Sequence, residues 1–164
     1  MLKFVDKKIT FEEIPDEISL CYSISNCDGL CEGCHSAELR DDIGTPLAGC
    51  IFDDAAELRT LGVTCICLLG EGAKDKSNKS ELIAILKQLR TLFPELKLAL
   101  YSGKIEMDKE LCPYLDYYKV GPYIASCGPL NSRTTNQKLY KIVSKTITDI
   151  TFKFWEDDYE DNIE

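Results

Sequence analysis

Apolar and polar residues follow patterns along the chain that predict alternating strands and helices. The segment Ile18–Ile24 carries apolar residues at every second position, which is typical of a strand. Three further apolar segments predict strands that are covered on both faces, at Val63–Leu69, Leu96–Tyr101 and Leu115–Val120. Two later segments also predict strands, at Gln137–Val143 and Ile147–Trp155.

Helical spacing occurs between these strands. Residues 53–61 predict a helix that ends at Gly62, because glycine commonly follows the last turn of a helix. Residues 80–90 predict a second helix, whose apolar face consists of Leu82, Ile85, Leu86 and Leu89. Residues 107–111 allow one short helix at most before Pro113, and residues 123–135 predict a loop. This alternation predicts an α/β fold with a mainly parallel sheet.

The length of the chain limits the architecture. We expect 164 residues to form one domain, which we place at residues 1–155. A βα repeat takes about 30 residues, so roughly five repeats fit, whereas a closed eight-repeat barrel needs about 250 residues. A barrel in this chain would therefore be open and partial. Residues 156–164 are strongly acidic, and we expect them to form a solvated, frayed tail.

The charge of the chain argues against nucleic-acid binding. Acidic residues outnumber basic ones by 28 to 19, which gives a net charge of −9, whereas phosphate backbones attract clustered Lys and Arg. No apolar run reaches the roughly 18 residues of a membrane span, and no secretory leader is visible. We therefore expect a cytoplasmic protein with no membrane partner. In that reducing compartment, the nine cysteines are expected to be ligands or free thiols.

Three of these cysteines, Cys27, Cys31 and Cys34, lie within eight residues in a C-x3-C-x2-C pattern that we call the cysteine loop (residues 27–34). Thiolates are soft ligands that favour iron–sulfur clusters or zinc. Three cysteines are one fewer than a four-cysteine cluster uses, so a [4Fe–4S] cluster here would keep one iron open for a further ligand. The alternative is a zinc site that includes His35. We favour the cluster, because the side chains of the adjacent residues Cys34 and His35 diverge.

Other residues of the cysteine loop and its neighbour suit a bulky cofactor. Gly29 and Gly33 lack a side chain, so the backbone can approach a cluster and its ligand closely. His35 is the single histidine of the chain and follows the predicted ligand Cys34 directly. We expect it either beside the cofactor or on the surface, and the sequence does not distinguish the two positions.

Glycine-rich or polar segments follow the other predicted strands. Gly70, Glu71 and Gly72 come after the second strand, and the third strand ends at Tyr101, before Ser102 and Gly103. Further such segments are Lys119–Tyr123 and Thr135–Gln137. Because the carboxyl ends of parallel strands meet at one edge of a sheet, and ligands bind at that edge, we expect these segments to lie near the cysteine loop.

The spacing of Cys27, Cys31 and Cys34 resembles that of the radical S-adenosylmethionine (SAM) superfamily. The resemblance implies an open partial (β/α) barrel of the radical SAM type, with a [4Fe–4S] cluster whose open iron binds SAM. Gly70 and Glu71 match a Gly-Gly-Glu-like segment that contacts the amino group of SAM, although Leu69 replaces its first glycine and Gly72 the proline that often follows. The superfamily resemblance also implies that the predicted cofactor-binding residues contact SAM. These residues are Gly33, Cys34, His35, Gly70 and Glu71.

Later segments make the chain similar to one family within that superfamily, the activating proteins of anaerobic (class III) ribonucleotide reductase. The similar features are Tyr101-Ser102-Gly103, Asp116 with Val120 and Gly121, and the run Thr135-Asn136-Gln137. The family resemblance implies that the protein generates a glycyl radical on anaerobic ribonucleoside-triphosphate reductase. A one-electron donor such as flavodoxin or ferredoxin would reduce the cluster. Tyr101, Asn136 and Gln137 would contact SAM or the partner.

Several alternatives remain open from the sequence. Within radical SAM chemistry, the chain could activate another glycyl radical enzyme or act on a small molecule. Outside it, the chain could be a zinc-bearing adaptor without catalysis. Because Leu69 replaces the first glycine of the Gly-Gly-Glu-like segment, the chain could also be a family member that has lost SAM turnover. Of the remaining cysteines, we expect three to be small core residues, Cys21, Cys65 and Cys67, and assign no role to the others, Cys50, Cys112 and Cys127.

Overall fold

The computed structural model describes residues 1–34 and 36–155. The predictions for His35 and for an acidic tail at 156–164 lie outside the described residues. Within them, eight strands form one sheet in the order β3-β1-β2-β4-β5-β6-β7-β8. Their bounds in chain order are β1 Lys3–Thr10, β2 Ser19–Ile24, β3 Thr45–Pro46, β4 Cys65–Leu69, β5 Lys97–Tyr101, β6 Tyr117–Val120, β7 Lys138–Val143 and β8 Thr146–Asp149.

The centre of the sheet consists of four parallel strands, β2, β4, β5 and β6. Their residues are almost entirely buried, as the apolar segments predicted. Register pairs align the strand ends, with Ser23 opposite Leu69, Leu69 opposite Tyr101, and Tyr101 opposite Lys119. The four carboxyl ends therefore lie side by side at one edge of the sheet.

Two α-helices, α1 (Ile51–Leu58) and α2 (Asn78–Leu92), contribute to the larger of two apolar cores. The predicted apolar face of the second helix is confirmed, because Leu82, Ile85, Leu86 and Leu89 are all buried. Asp116 joins this helix to the sheet, since its Oδ2 accepts hydrogen bonds from Arg90 Nη2 at 2.6 Å and from the Leu98 amide at 2.9 Å.

A second apolar core contains Cys21, Cys65 and Cys67. Ile14, Ile150 and the half-buried Phe154 also belong to this core. Burial raises the pKa values of the Cys65 and Cys67 thiols, which keeps both protonated. The prediction that these three cysteines are small core residues is confirmed.

The predicted open partial (β/α) barrel with a mainly parallel sheet is wrong. Only three of the seven strand pairings are parallel. Antiparallel strands flank the parallel centre on both sides, with β1 and β3 at one end and β7 and β8 at the other. Two α-helices occur among the described residues, and the connection from β5 to β6 contains only the short 3₁₀ turn Cys112–Tyr114. The described residues therefore form one mixed eight-stranded sheet.

The individual elements match the predictions unevenly. The helix expected at 53–61 begins at Ile51, and its last residues, Arg59–Leu61, form a 3₁₀ turn. The short helix allowed at 107–111 is absent from the described residues, which form turns there. The strand predicted at 147–155 ends at Asp149, because the Asp149 carboxylate accepts hydrogen bonds from the Thr151 amide and hydroxyl and turns the chain into a 3₁₀ helix, Thr151–Trp155.

None of the helices in the described part of the chain is long and apolar enough to cross a membrane.

Candidate functional site

A cavity of about 430 Å³ lies at the carboxyl edge of the parallel strands. Segments that follow four different strands line it, because the register places those strand ends side by side. The lining consists of residues 27–31 of the cysteine loop, residues 70–73, residues 103–104 and residues 122–123. The segments that follow β4, β5 and β6 therefore meet the cysteine loop, whereas Thr135–Gln137, which was expected there too, does not line this cavity.

Backbone and side-chain hydrogen bonds hold the cysteine loop in place. The Cys27 amide donates to the Leu39 carbonyl at 2.8 Å. Arg40 reaches across the loop, donating from Nε to the Gly29 carbonyl at 3.1 Å and from Nη2 to the Cys31 carbonyl at 2.9 Å. The Arg40 guanidinium thus holds two backbone carbonyls of the loop, and these hydrogen bonds do not use its sulfur atoms. Sequence reasoning missed Arg40, because an isolated arginine after the loop gives no signal of its target.

The sulfur atoms of Cys27 and Cys31 surround Gly29. A Cβ atom at Gly29 would lie 3.3 Å from Cys27 Sγ and 3.7 Å from Cys31 Sγ, so a side chain there would occupy the space between them. The Gly29 amide also donates to Cys27 Sγ at 3.3 Å. Thiolates with a nearby backbone donor suit an iron–sulfur cluster, whose sulfur atoms commonly accept such hydrogen bonds. The donor set and the bare glycine therefore fit the cluster.

Cys34 lies in the same loop but is not part of the cavity lining. Its amide donates to the Cys31 carbonyl at 3.3 Å, which closes a turn through Gly33. Gly33 has a φ of +72°, and a Cβ atom there would lie 3.7 Å from Tyr123 Cε1, so the loop passes near the segment after β6. Across residues 1–34 and 36–155, no three Cys, His, Asp or Glu side chains are already grouped as a metal site. Ligation by all three cysteines would therefore require a rearrangement of the loop.

Gly70 and Glu71 line the cavity together with Cys27 and Cys31. The Glu71 side chain is only 10% exposed. Lys104 Nζ lies 3.1 Å from Glu71 Oε1, and the Ser102 hydroxyl donates to Oε2. These contacts fix the carboxylate at the wall of the cavity. Gly70 has a φ of +116° and passes close to the Ile24 carbonyl, a position that strains any other residue.

The other predicted contact residues lie elsewhere. Tyr101 and Gln137 line a separate, open cavity of about 790 Å³. The Tyr101 hydroxyl donates to the Glu13 carbonyl, and burial raises its pKa well above the usual value. Asn136 lines neither cavity, but its Nδ2 donates to the Pro122 carbonyl at 3.0 Å and so supports the segment after β6. None of the three residues lines the cavity of the cysteine loop.

Lys119 is a buried residue that the sequence analysis did not single out. Its Nζ donates to the Gly121 carbonyl at 3.0 Å and lies 5.5 Å from the centre of the Tyr101 ring. Burial lowers the pKa of this ammonium to about 8. One signal for it was available in the sequence, namely a lysine inside the apolar strand Tyr117–Val120.

Comparisons of the chain with protein-family models, with curated proteins and with solved structures give no match. The cavity by itself combines two thiols, a fixed carboxylate and closely approaching glycine backbone. This arrangement suits a soft metal centre with an open position and a ligand that carries a positive group.

Proposed function

We propose that the protein is a radical SAM activase that generates a glycyl radical on anaerobic (class III) ribonucleotide reductase. The observation that carries this proposal is the convergence of Cys27 and Cys31 on one cavity with Gly70 and Glu71. The proposal requires aligned strand ends and not a barrel. The mixed sheet supplies them, because its parallel strands β2, β4, β5 and β6 end at one edge.

Cys27, Cys31 and Cys34 would hold the [4Fe–4S] cluster. Three thiolates leave one coordination position for the amino and carboxylate groups of SAM. Once an external donor had supplied one electron, the cluster would provide the reductive cleavage of SAM to methionine and a 5′-deoxyadenosyl radical, and that radical would take a hydrogen atom from a glycine Cα of the reductase. The chain's own contribution is to hold the thiolates, orient SAM and admit the protein substrate.

Glu71 would bind the positively charged part of SAM. Its carboxylate is nearly buried, and Ser102 and Lys104 hold it at the wall of the cavity. Gly70 and Gly72 also line the cavity, and their positive φ angles let the backbone turn there, where a Cβ would meet Ile24 at Gly70 and Asn78 at Gly72. Lys104 competes for the same carboxylate. SAM would therefore have to displace Lys104 or share Glu71 with it.

Formation of the glycyl radical tests the proposal. The anaerobically reconstituted protein would be mixed with SAM, a flavodoxin- or ferredoxin-type one-electron donor and the reductase, and the radical would be counted by electron paramagnetic resonance. We expect a glycyl radical signal with the wild-type protein and with the control variant Cys50→Ala, which removes a thiol outside the loop. Cys31→Ala should give none. An equal signal from Cys31→Ala would refute the proposal.

A zinc-bearing adaptor is the competing function from another class. It predicts one zinc ion and no inorganic sulfide in the purified protein. It also predicts no radical on the reductase under any reducing condition. Metal and sulfide analysis of the protein therefore separates the two functions before any reductase is added.

A further inference from the structure

Two strands of the sheet, β1 and β8, have an open outer side, and they differ in how well that side is protected. Strand β1 pairs with β3 only at Lys3 and Phe4. Its ladder with β2 is irregular between Phe4 and Asp6, and four of its residues are charged, which are features that discourage pairing with another chain. Strand β8 is the last strand at the other end, and no strand among the described residues pairs with its outer side. Its sequence contains neither lysine nor proline.

The backbone of β8 presents hydrogen-bonding groups at this outer side. Strands β7 and β8 are joined by the two-residue turn Ser144-Lys145, in which both φ angles are positive, +48° and +68°. The residues that flank such a turn, Val143 and Thr146, form a hydrogen-bonded pair across the hairpin. Because hydrogen-bonded and non-hydrogen-bonded pairs alternate along antiparallel strands, the amide and carbonyl of the next residue, Ile147, point away from β7. No backbone group of another described segment bonds to them.

The side chains of β8 are exposed, and the one at its centre is apolar. All four residues of the strand are exposed, and Ile147 is 45% exposed. Ile147 lies opposite Ile142 of β7, which packs against the larger apolar core. The apolar side of the sheet therefore extends to its edge at Ile147. A single exposed isoleucine is ordinary on a protein surface, but this one coincides with an open strand edge.

The sequence around Ile147 is complementary to itself in the antiparallel direction. Residues 145–149 read Lys-Thr-Ile-Thr-Asp. When two copies pair with Ile147 opposite itself, Thr146 lies opposite Thr148, and Lys145 lies opposite Asp149. Threonine pairs and opposite charges on facing strands are favourable, and two-fold symmetry makes each pair occur twice. A centre at Thr146 or Thr148 would place a charged residue opposite Ile147. A centre at Lys145 or Asp149 would place like charges opposite each other.

We propose that β8 is a homodimer interface, through which two copies of this chain pair antiparallel with Ile147 at the two-fold axis. The two eight-stranded sheets then form one continuous sheet, in which the parallel strands of the two copies run in opposite directions. The two cysteine cavities lie at opposite edges of that sheet. Two short strands bury less surface than a stable interface does, so the dimer is weak and depends on protein concentration. The inference goes beyond the proposed function and requires no metal.

Sedimentation equilibrium of the full chain over a range of concentrations tests this inference. A thiol reductant is present, because the free cysteines would otherwise cross-link chains. We expect wild type to shift from monomer to dimer with a dissociation constant of about 10 µM to 1 mM. Ile147→Lys should weaken the dimer about tenfold, because it places like charges opposite each other at the axis. Ile9→Lys is the matched control, since Ile9 is 50% exposed on the other open strand, β1, and this variant should dimerise like wild type.

A second pair of variants tests the charge pairing without changing a residue of β8. Lys145→Glu places like charges opposite each other near Asp149 and should weaken the dimer several-fold. Lys141→Glu makes the same charge change on the inner strand β7 and should have little effect. Asp149 is left unchanged because it holds the turn at Thr151. Lys145 lies in the turn, so Lys145→Glu also serves as the test if Ile147→Lys does not fold.

Hydrogen exchange locates the interface in the wild-type protein. The Ile147 amide should exchange more slowly as protein concentration rises, because it becomes bonded across the axis. A protein that stays monomeric up to about 1 mM would overturn the inference. So would a dimer that Ile147→Lys and Ile9→Lys weaken equally, or one in which exchange at Ile147 does not depend on concentration. None of these results bears on the proposed function, which depends on the cysteine loop.

Discussion

Replacement of Gly29 by alanine tests the geometry of the cysteine loop. The added methyl group would lie 3.3 Å from Cys27 Sγ and 3.7 Å from Cys31 Sγ. The shorter distance is tighter than an ordinary contact, so the Cys27 sulfur must move by a few tenths of an ångström. That displacement is comparable to the tolerance of about 0.2 Å on metal–ligand distances. The substitution therefore acts on the cluster ligands directly.

The expected magnitude separates cluster binding from folding. Residues that orient metal ligands typically contribute about 10- to 100-fold in metal affinity, and we expect a loss of this size in Gly29→Ala. The free energy of unfolding of the metal-free protein should change by less than about 0.5 kcal/mol, because the loop contributes no core residue. Gly103→Ala is the matched control, since it lies in the same cavity and its added Cβ would have no atom within 4 Å.

The assay is anaerobic titration with iron and sulfide, followed by measurement of both elements per chain after gel filtration. Gly29→Ala should require about 10 to 100 times more iron for half-loading than Gly103→Ala. Equal loading of the two variants would refute the reasoning, because it would mean that the two sulfur atoms do not have to occupy the space around Gly29.

Three further predictions concern residues that orient the site or stabilise the fold. Arg40→Met should lower cluster loading without unfolding the protein, because the guanidinium holds two carbonyls of the loop. Arg59→Met, which breaks the exposed ion pair with Glu95, is the control, and equal loading of the two variants would contradict the prediction. Glu71→Gln should load the cluster normally but bind SAM at least about tenfold more weakly by equilibrium dialysis, since a charge-assisted contact contributes about 1.5–3 kcal/mol; unchanged SAM affinity would exclude this role. Asp116→Asn should lower the free energy of unfolding, measured in urea, by about 2 kcal/mol, because Arg90 loses its partner carboxylate. A decrease below about 0.5 kcal/mol would contradict this prediction.

The parallel centre of the sheet was predictable because its strands are buried on both faces. An uninterrupted apolar segment such as Cys65–Leu69 is typical of such a strand and can be recognised from the local sequence alone. The antiparallel strands at the ends gave weaker signals. Strand β1, Lys3–Thr10, was missed because five of its eight residues are exposed and four are charged, as is common near a sheet edge. The missed edge strands left a mainly parallel sheet as the prediction, and the barrel itself was implied by the radical SAM resemblance.

The candidate site divides in the same way. The cysteine spacing and the position of Gly70 and Glu71 after a buried strand are local features, and they identified residues that line one cavity. Tyr101 ends β5 and Gln137 directly precedes β7, so both lie near the same edge of the sheet. They nevertheless line the separate cavity. Arg40 and Lys119 could not be assigned from sequence, because their roles depend on contacts across the fold. Sequence reveals ligands that cluster along the chain better than groups that orient them from a distance.

Reductive cleavage of SAM is the most direct test of the central claim. The protein would be reconstituted anaerobically with iron and sulfide, reduced with dithionite and supplied with SAM, and 5′-deoxyadenosine would be quantified by chromatography. The account predicts an iron–sulfur protein that forms 5′-deoxyadenosine and methionine in equal amounts, and no product from Cys31→Ala. A protein that binds zinc without sulfide, or that holds a cluster and leaves SAM intact, would contradict it.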